Sequence, residues 1–264
     1  MRSPAEFSRA TFGTQPGYVY ASDPKLRFDQ KRLASLVGFA AFGLPIVLAL
    51  GAVVYRLVFD RESELLAPSI SAFYYREIVL GDFFVGTLVF IGTLLLAFRG
   101  WNRNVSRLSS VAGLFAFGVA LFPTCGWRMV GTRPAPIEGD WIGWAHNISA
   151  AGLFAILAYF CLSVFTLVED NNVHPSGQPF DSKAARNRIY VGSGIVIVAM
   201  LLTILIGSQL LGKWSALKLT FWCEAIALFA FGVSWTTLGR AMNSLLLDPR
   251  DKRDRAKVRQ EEDA

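Results

Sequence analysis

Long apolar runs broken by short charged interruptions set the pattern of this chain. The runs occupy roughly 33–57, 77–98, 107–124, 142–168, 190–212 and 217–240. Each is long enough to cross the ~30 Å hydrocarbon core of a bilayer as an α-helix rising 1.5 Å per residue. In lipid the backbone must satisfy its own hydrogen bonds, which leaves helices or closed barrels. Continuous runs rather than ten-residue alternations select helices. The pattern therefore predicts an all-α polytopic membrane protein, a bundle of six transmembrane helices over 33–243. An N-terminal tail of residues 1–32 precedes it and a charged C-terminal tail of residues 244–264 follows.

Composition agrees with this reading: 53% of the residues are hydrophobic and 17% charged, well below the quarter usual in soluble domains. The net charge of +6 does not point to nucleic acid, because the basic residues flank apolar spans. Nineteen of the 26 Lys and Arg residues fall in the N-terminal tail, the 99–107 and 169–189 loops and the segment from Arg240. The other seven lie on the opposite side. This bias predicts that both termini lie on the cytoplasmic side. Trp127, Trp141, Trp144, Trp214, Tyr55, Tyr74 and Tyr75 cluster at the other face as an aromatic belt. The N-terminal 32 residues lack an apolar h-region, so the first span is expected to start insertion itself. Three cysteines, Cys125, Cys161 and Cys223, form no CxxC pair and build no disulfide framework.

The spans are rich in Gly, Ala and Ser, which let helix backbones approach closely. The string LFAFGV occurs twice, at Leu114–Val119 in the third span and Leu228–Val233 in the sixth. Halves of three spans each would lie in opposite orientations, as in many secondary transporters.

Only three ionisable side chains sit well inside the spans: Asp82, His146 and Glu224. Each lies early in a span that begins at the outer face, which places all three in one layer about 5–12 Å deep. Such groups are costly in hydrocarbon and usually face the bundle interior. They form the candidate catalytic set, expected to converge on one outward-opening pocket. Ser69, Ser71, Tyr75, Arg76, Arg128 and Asn147 are the candidate binding residues around it. Two carboxylates and an imidazole can exchange protons, and with Cys125 or Cys223 they can hold a divalent metal. No signature spacing such as HExxH selects a metal or any other cofactor.

Pro68-Ser-Ile-Ser-Ala-Phe-Tyr-Tyr75, Gly81-Asp-Phe-Phe-Val-Gly86, GLFAFGVALFPT at 113–124, His146 and FWCEAIALFAFGVSW at 221–235 together resemble an uncharacterised family of bacterial six-span membrane proteins. That resemblance covers span two to span six and implies a bacterial inner-membrane location but no activity. The PSIS element is also remotely similar to DRAM/Sfk-type six-span proteins, which implies lipid handling. Against the ceramidase-like intramembrane hydrolases the chain departs at its metal ligands. Tyr75 stands where a histidine is wanted after Ser71, and Glu224 where a late histidine pair is wanted. The expected function is binding or processing of a lipid or small amphiphile in the polar pocket. The alternatives are a proton-coupled small-solute transporter and a non-catalytic scaffold or sensor. The partners expected are the bilayer and an amphiphilic ligand, and not nucleic acid. The sequence selects no protein partner.

Overall fold

The computed structural model describes residues 29–59, 65–75, 78–130, 133–137, 141–167, 181–239 and 260. Six helices in it are long and apolar enough to cross a membrane. These are α1 (Gln30–Val58), α2 (Ile78–Ala97), α3 (Arg103–Leu121), α4 (Trp141–Tyr159), α5 (Asp181–Leu210) and α6 (Leu219–Leu238). All six expected spans are present, and by length and composition they make the chain a multi-pass membrane protein. Most of both tails lies outside the described residues.

The differences are local. α4 continues through a π-helical turn, Phe160–Val164. α5 starts at Asp181, about nine residues before its apolar run, because Ala184, Ala185, Arg186 and Arg188 are good helix formers that carry the helix out past the span. The connection between α3 and α4, expected as loop, contains an antiparallel hairpin of β1 (Gly126–Val130) and β2 (Arg133–Ile137).

Consecutive helices pack side by side around a ring, and α6 returns to close it against α1. Hydrocarbon offers no hydrophobic force between helices, so the ring depends on close packing. At the α1–α6 closure a methyl built on Gly38 would stand 2.8 Å from the Thr236 backbone nitrogen and 2.9 Å from the Gly232 carbonyl oxygen. One built on Gly232 would stand 2.9 Å from the Gly38 oxygen and 2.8 Å from the Phe42 ring. Glycine at both positions lets the two backbones meet there, and just beyond α6 a methyl on Gly239 would stand 2.5 Å from the Lys31 carbonyl oxygen of α1. Further along the ring, Gly92 of α2 and Gly113 of α3 face each other in the same way.

Several polar groups buried among the helices are paired, while among the described residues Trp235 Nε1 and Asn187 Oδ1 are buried without a hydrogen-bond partner. Asn102 is fully buried and caps α3 by accepting from the Val105 N–H at 2.9 Å, as a helix start requires. The Ser109 hydroxyl donates to the Leu95 carbonyl at 2.7 Å, joining α3 to α2. Near the end of the bundle where α1 begins, fully buried Trp235 gathers Phe98, Phe160, Phe165 and Phe231, with ring centroids 5.2–5.9 Å away. Beside it Lys183 and Asn187 of α5 donate to the carbonyls of Phe165 (2.8 Å) and Thr166 (3.0 Å). Those oxygens are left without intrahelical donors where the π-turn stops.

The two LFAFGV copies occupy corresponding places in the ring. Gly118 in the first faces Ser149 of α4, and Gly232 in the second faces Gly38 of α1. In both, the glycine of a third helix meets the ninth residue of the next half's first helix. The first contact lies near the end of α3 and the start of α4, the second near the end of α6 and the start of α1, at opposite ends of the bundle. Two inverted three-helix halves have this relation.

Replacing Gly232 by Ala is expected to destabilise the protein by about 1–3 kcal/mol, since the methyl forces two backbones apart. Gly43→Ala, whose methyl would meet nothing within 4 Å, should leave stability unchanged or raise it by up to ~1 kcal/mol through helix propensity. Thermal melts of the two variants in one detergent check the contrast.

Candidate functional site

At the end of the bundle remote from the start of α1, residues 65–75 cross its mouth between α1 and α2. The Ser69 hydroxyl accepts from the Ala72 N–H at 3.0 Å, a local bond that turns the chain into the short 3-10 helix Ser71–Tyr75. Ala67, Ile70 and Phe73 point inward and are buried. Phe73 packs on Phe221 of α6, ring centroids 6.1 Å apart, and the Pro68 carbonyl accepts from the Phe221 N–H at 3.1 Å.

Glu224 completes this attachment. One turn into α6, its Oε2 accepts from the Ile70 N–H at 2.6 Å, and the Ser71 N–H donates to the same carboxylate. Charge-assisted bonds of this kind are short and about twice as strong as neutral ones. The carboxylate is thus spent on two backbone donors of the 65–75 segment that have no helical partner.

Tyr75 makes the corresponding attachment on the other side. Its hydroxyl donates to the Cys125 carbonyl at 2.7 Å and accepts from the Cys125 N–H at 2.8 Å, pinning the turn between α3 and β1. The Thr124 hydroxyl at 3.4 Å and the Cys125 thiol at 3.5 Å also approach it. Burial first, and then the hydrogen bond with Cys125, push the Tyr75 phenol up from 10 to about 12, so it keeps the proton its carbonyl contact needs. Cys125, Cys161 and Cys223 are all free thiols. Cys161 is buried in the π-turn beside the Trp235 cluster and donates to the Ser234 hydroxyl at 3.1 Å.

His146 is buried in α4, with Nδ1 2.7 Å from the Phe122 carbonyl oxygen just beyond α3. A carbonyl only accepts, so the neutral ring carries its proton on Nδ1. The imidazole therefore serves the exposed carbonyl end of α3, as Glu224 serves the 65–75 turn.

Asp82 is placed differently. Gly81 beside it is buried, a methyl there standing 3.0 Å from the Tyr74 carbonyl oxygen. Asp82 itself is exposed and stands in a groove of about 450 Å³ between α1 and α2. Ala40 and Gly43 form the α1 side; Phe83, Gly86, Thr87 and Phe90 form the α2 side. Neither His146 nor Glu224 lines this groove. The structure thus unites Ser69, Ser71, Tyr75 and Glu224 in one capping assembly and puts Asp82 in a separate lipid-facing cleft. Asn147 is exposed on the same face of α4 as Trp144 and Ile148. Arg76 lies outside the described residues, as does the side chain of Arg128, whose backbone belongs to β1.

Among the described residues no three His, Cys, Asp or Glu side chains gather closely enough to hold a metal ion. The groove glycine Gly43 escaped the sequence reading as a ligand-facing position, since it looks like a packing glycine until its surroundings are known. Comparison with models of known protein families, with curated proteins and with solved structures finds no match. The class the molecule defines is therefore structural: a multi-pass helical membrane protein with a capped mouth and a lipid-facing groove.

Glu224→Leu should destabilise the protein by about 1–3 kcal/mol by stranding the Ile70 N–H, whereas Glu224→Gln, which keeps an acceptor oxygen, should lose less than half of that. Melting curves of both variants decide it. The Tyr75 clamp has its own pH signature. A proton held more tightly in the folded state gives stability that is complete below pH 10 and is lost as pH rises through 10 toward about 12. Tyrosinate absorbance followed alongside unfolding should place one late-titrating phenol, and Tyr75→Phe should remove it.

Proposed function

We propose that the protein binds a lipid or other small amphiphile inside the bilayer, in the groove between α1 and α2. One observation carries this reading: a lipid-facing cleft with apolar walls, two glycines on its surface and a carboxylate at one end. Its volume of about 450 Å³ falls within the range of small-molecule sites, which are mostly apolar with a few placed polar groups. A methyl on Gly43 or on Gly86 would meet nothing within 4 Å, so neither glycine is needed for helix packing. The space they leave suits a hydrocarbon chain laid against the helix backbone.

Binding is a better description than processing. His146 and Glu224 are engaged with backbone groups, which leaves Asp82 without a second acid or base in the groove. The charge bias of the loops favours an orientation in which Asp82 lies toward the outer face of a bacterial inner membrane and Ala40 and Phe90 lie deeper. A second reading, solute transport, draws on the matched positions of the two LFAFGV copies, the arrangement through which inverted halves rock. Uptake into liposomes under a pH gradient would favour it over binding alone.

A photoactivatable fatty alcohol added to the purified protein should crosslink mainly to the α1 and α2 peptides that hold Ala40, Phe83 and Phe90. Gly86→Leu, which fills the groove, should cut that labelling several-fold. Labelling spread evenly over the exposed faces of α5, around Leu205 and Leu210, and indifferent to Gly86→Leu would overturn the proposal.

A further inference from the structure

The two intramembrane carboxylates differ in what they bond. Glu224 accepts from backbone N–H groups. Asp82, exposed at the head of the groove, has no hydrogen bond or ion pair with any of the described residues. It lies four residues into α2, ~6 Å from the helix start, where an ionised side chain facing hydrocarbon is costly without a counter-charge.

The groove beneath it states what else the counter-charge must carry. From Asp82 to Phe90 is eight residues, or ~12 Å along the helix, and Thr87 is the one uncharged polar side chain on that path. Phe83, next to the carboxylate and 37% exposed, offers an aromatic ring at the same end. A carboxylate beside an aromatic ring is the pair that holds alkylammonium groups, through ion pairing and through attraction of the cation to the ring quadrupole.

We infer that the ligand of this groove is a cationic amphiphile, its ammonium group set between the Asp82 carboxylate and the Phe83 ring and its hydrocarbon chain laid past Gly86 toward Phe90. The inference rests on the lipid-binding reading and adds the headgroup class. An anionic headgroup meets like charge at Asp82, and a neutral one leaves the carboxylate unpaired. A partner transmembrane helix bearing Lys or Arg supplies the same charge, but a helix is 10–12 Å wide. Packed helix axes lie only 8–10 Å apart, so a helix can ride over the cleft between α1 and α2 without entering it. A single chain fits inside.

The test uses the full chain in a neutral maltoside detergent and three photoactivatable amphiphiles of one chain length, ending in trimethylammonium, alcohol or carboxylate. The trimethylammonium probe should label the groove peptides of α1 and α2 about tenfold more than the alcohol. Asp82→Asn should bring it down to the alcohol's level and Asp82→Glu should retain most of the preference, with melting temperatures confirming that both variants are folded. Equal labelling by all three probes, still lost in Gly86→Leu, would overturn the headgroup assignment and leave lipid binding standing. No groove labelling by any probe would overturn both. A second polypeptide crosslinked through α1 and α2 in place of the probes would show a helix as the occupant and overturn the amphiphile.

Discussion

The contact between Gly38 and Gly232 decides where everything else in the bundle stands. Two helices whose backbones touch are fixed in depth and rotation more tightly than two helices held apart by flexible side chains. Here the contact joins the first helix to the last, so it closes the ring. Once α6 is fixed against α1, Trp235 falls among the four phenylalanines at one end, and Phe221 and Glu224 fall beneath the Pro68–Ser71 backbone at the other. A slide of α6 along its axis by one turn, ~5.4 Å, would take the Glu224 carboxylate out of bonding range of Ile70.

The ionisable side chains inside the spans divide by what they satisfy. His146 and Glu224 each bond backbone atoms that the fold would otherwise leave unpaired, one at the carbonyl end of α3 and one at the turn before α2. Their removal would strand a backbone partner. Asp82 satisfies nothing in the described chain. Facing hydrocarbon, it carries a cost with no structural return among the described residues, and the ionic partner inferred for the groove is what would offset it.

How much of this was legible in the sequence follows from the range of each interaction. The six helices were legible because length and uniform apolarity are local properties. The β1–β2 hairpin was not, since Pro134 and Pro136 argue against a strand; a two-stranded hairpin tolerates them because each strand has an unpaired edge. The rotation of α2 was hidden as well. Its residues are apolar all round, so no polar stripe says which face looks inward, and Asp82 was expected inside. The partners of His146 and Glu224 are backbone atoms 24 and 154 residues away in the chain, a pairing that no side-chain motif records. Gly43 and Gly86 are indistinguishable in sequence from Gly38 and Gly232, and only three-dimensional neighbours separate an open glycine from a close-packed one.

The two attachments of the 65–75 segment differ in the order in which they become available during synthesis. Translation from the N-terminus delivers α1, the segment, α2 and α3 first, so the Tyr75 hydroxyl can grip the Cys125 backbone while the last three helices are still being made. The acceptor for the Ile70 amide, Glu224, arrives only with α6. A nascent chain halted before α6 therefore holds a mouth clamped on one side and open on the other, with free amides that mark the molecule as unfinished to any quality-control factor that reads exposed backbone in the bilayer.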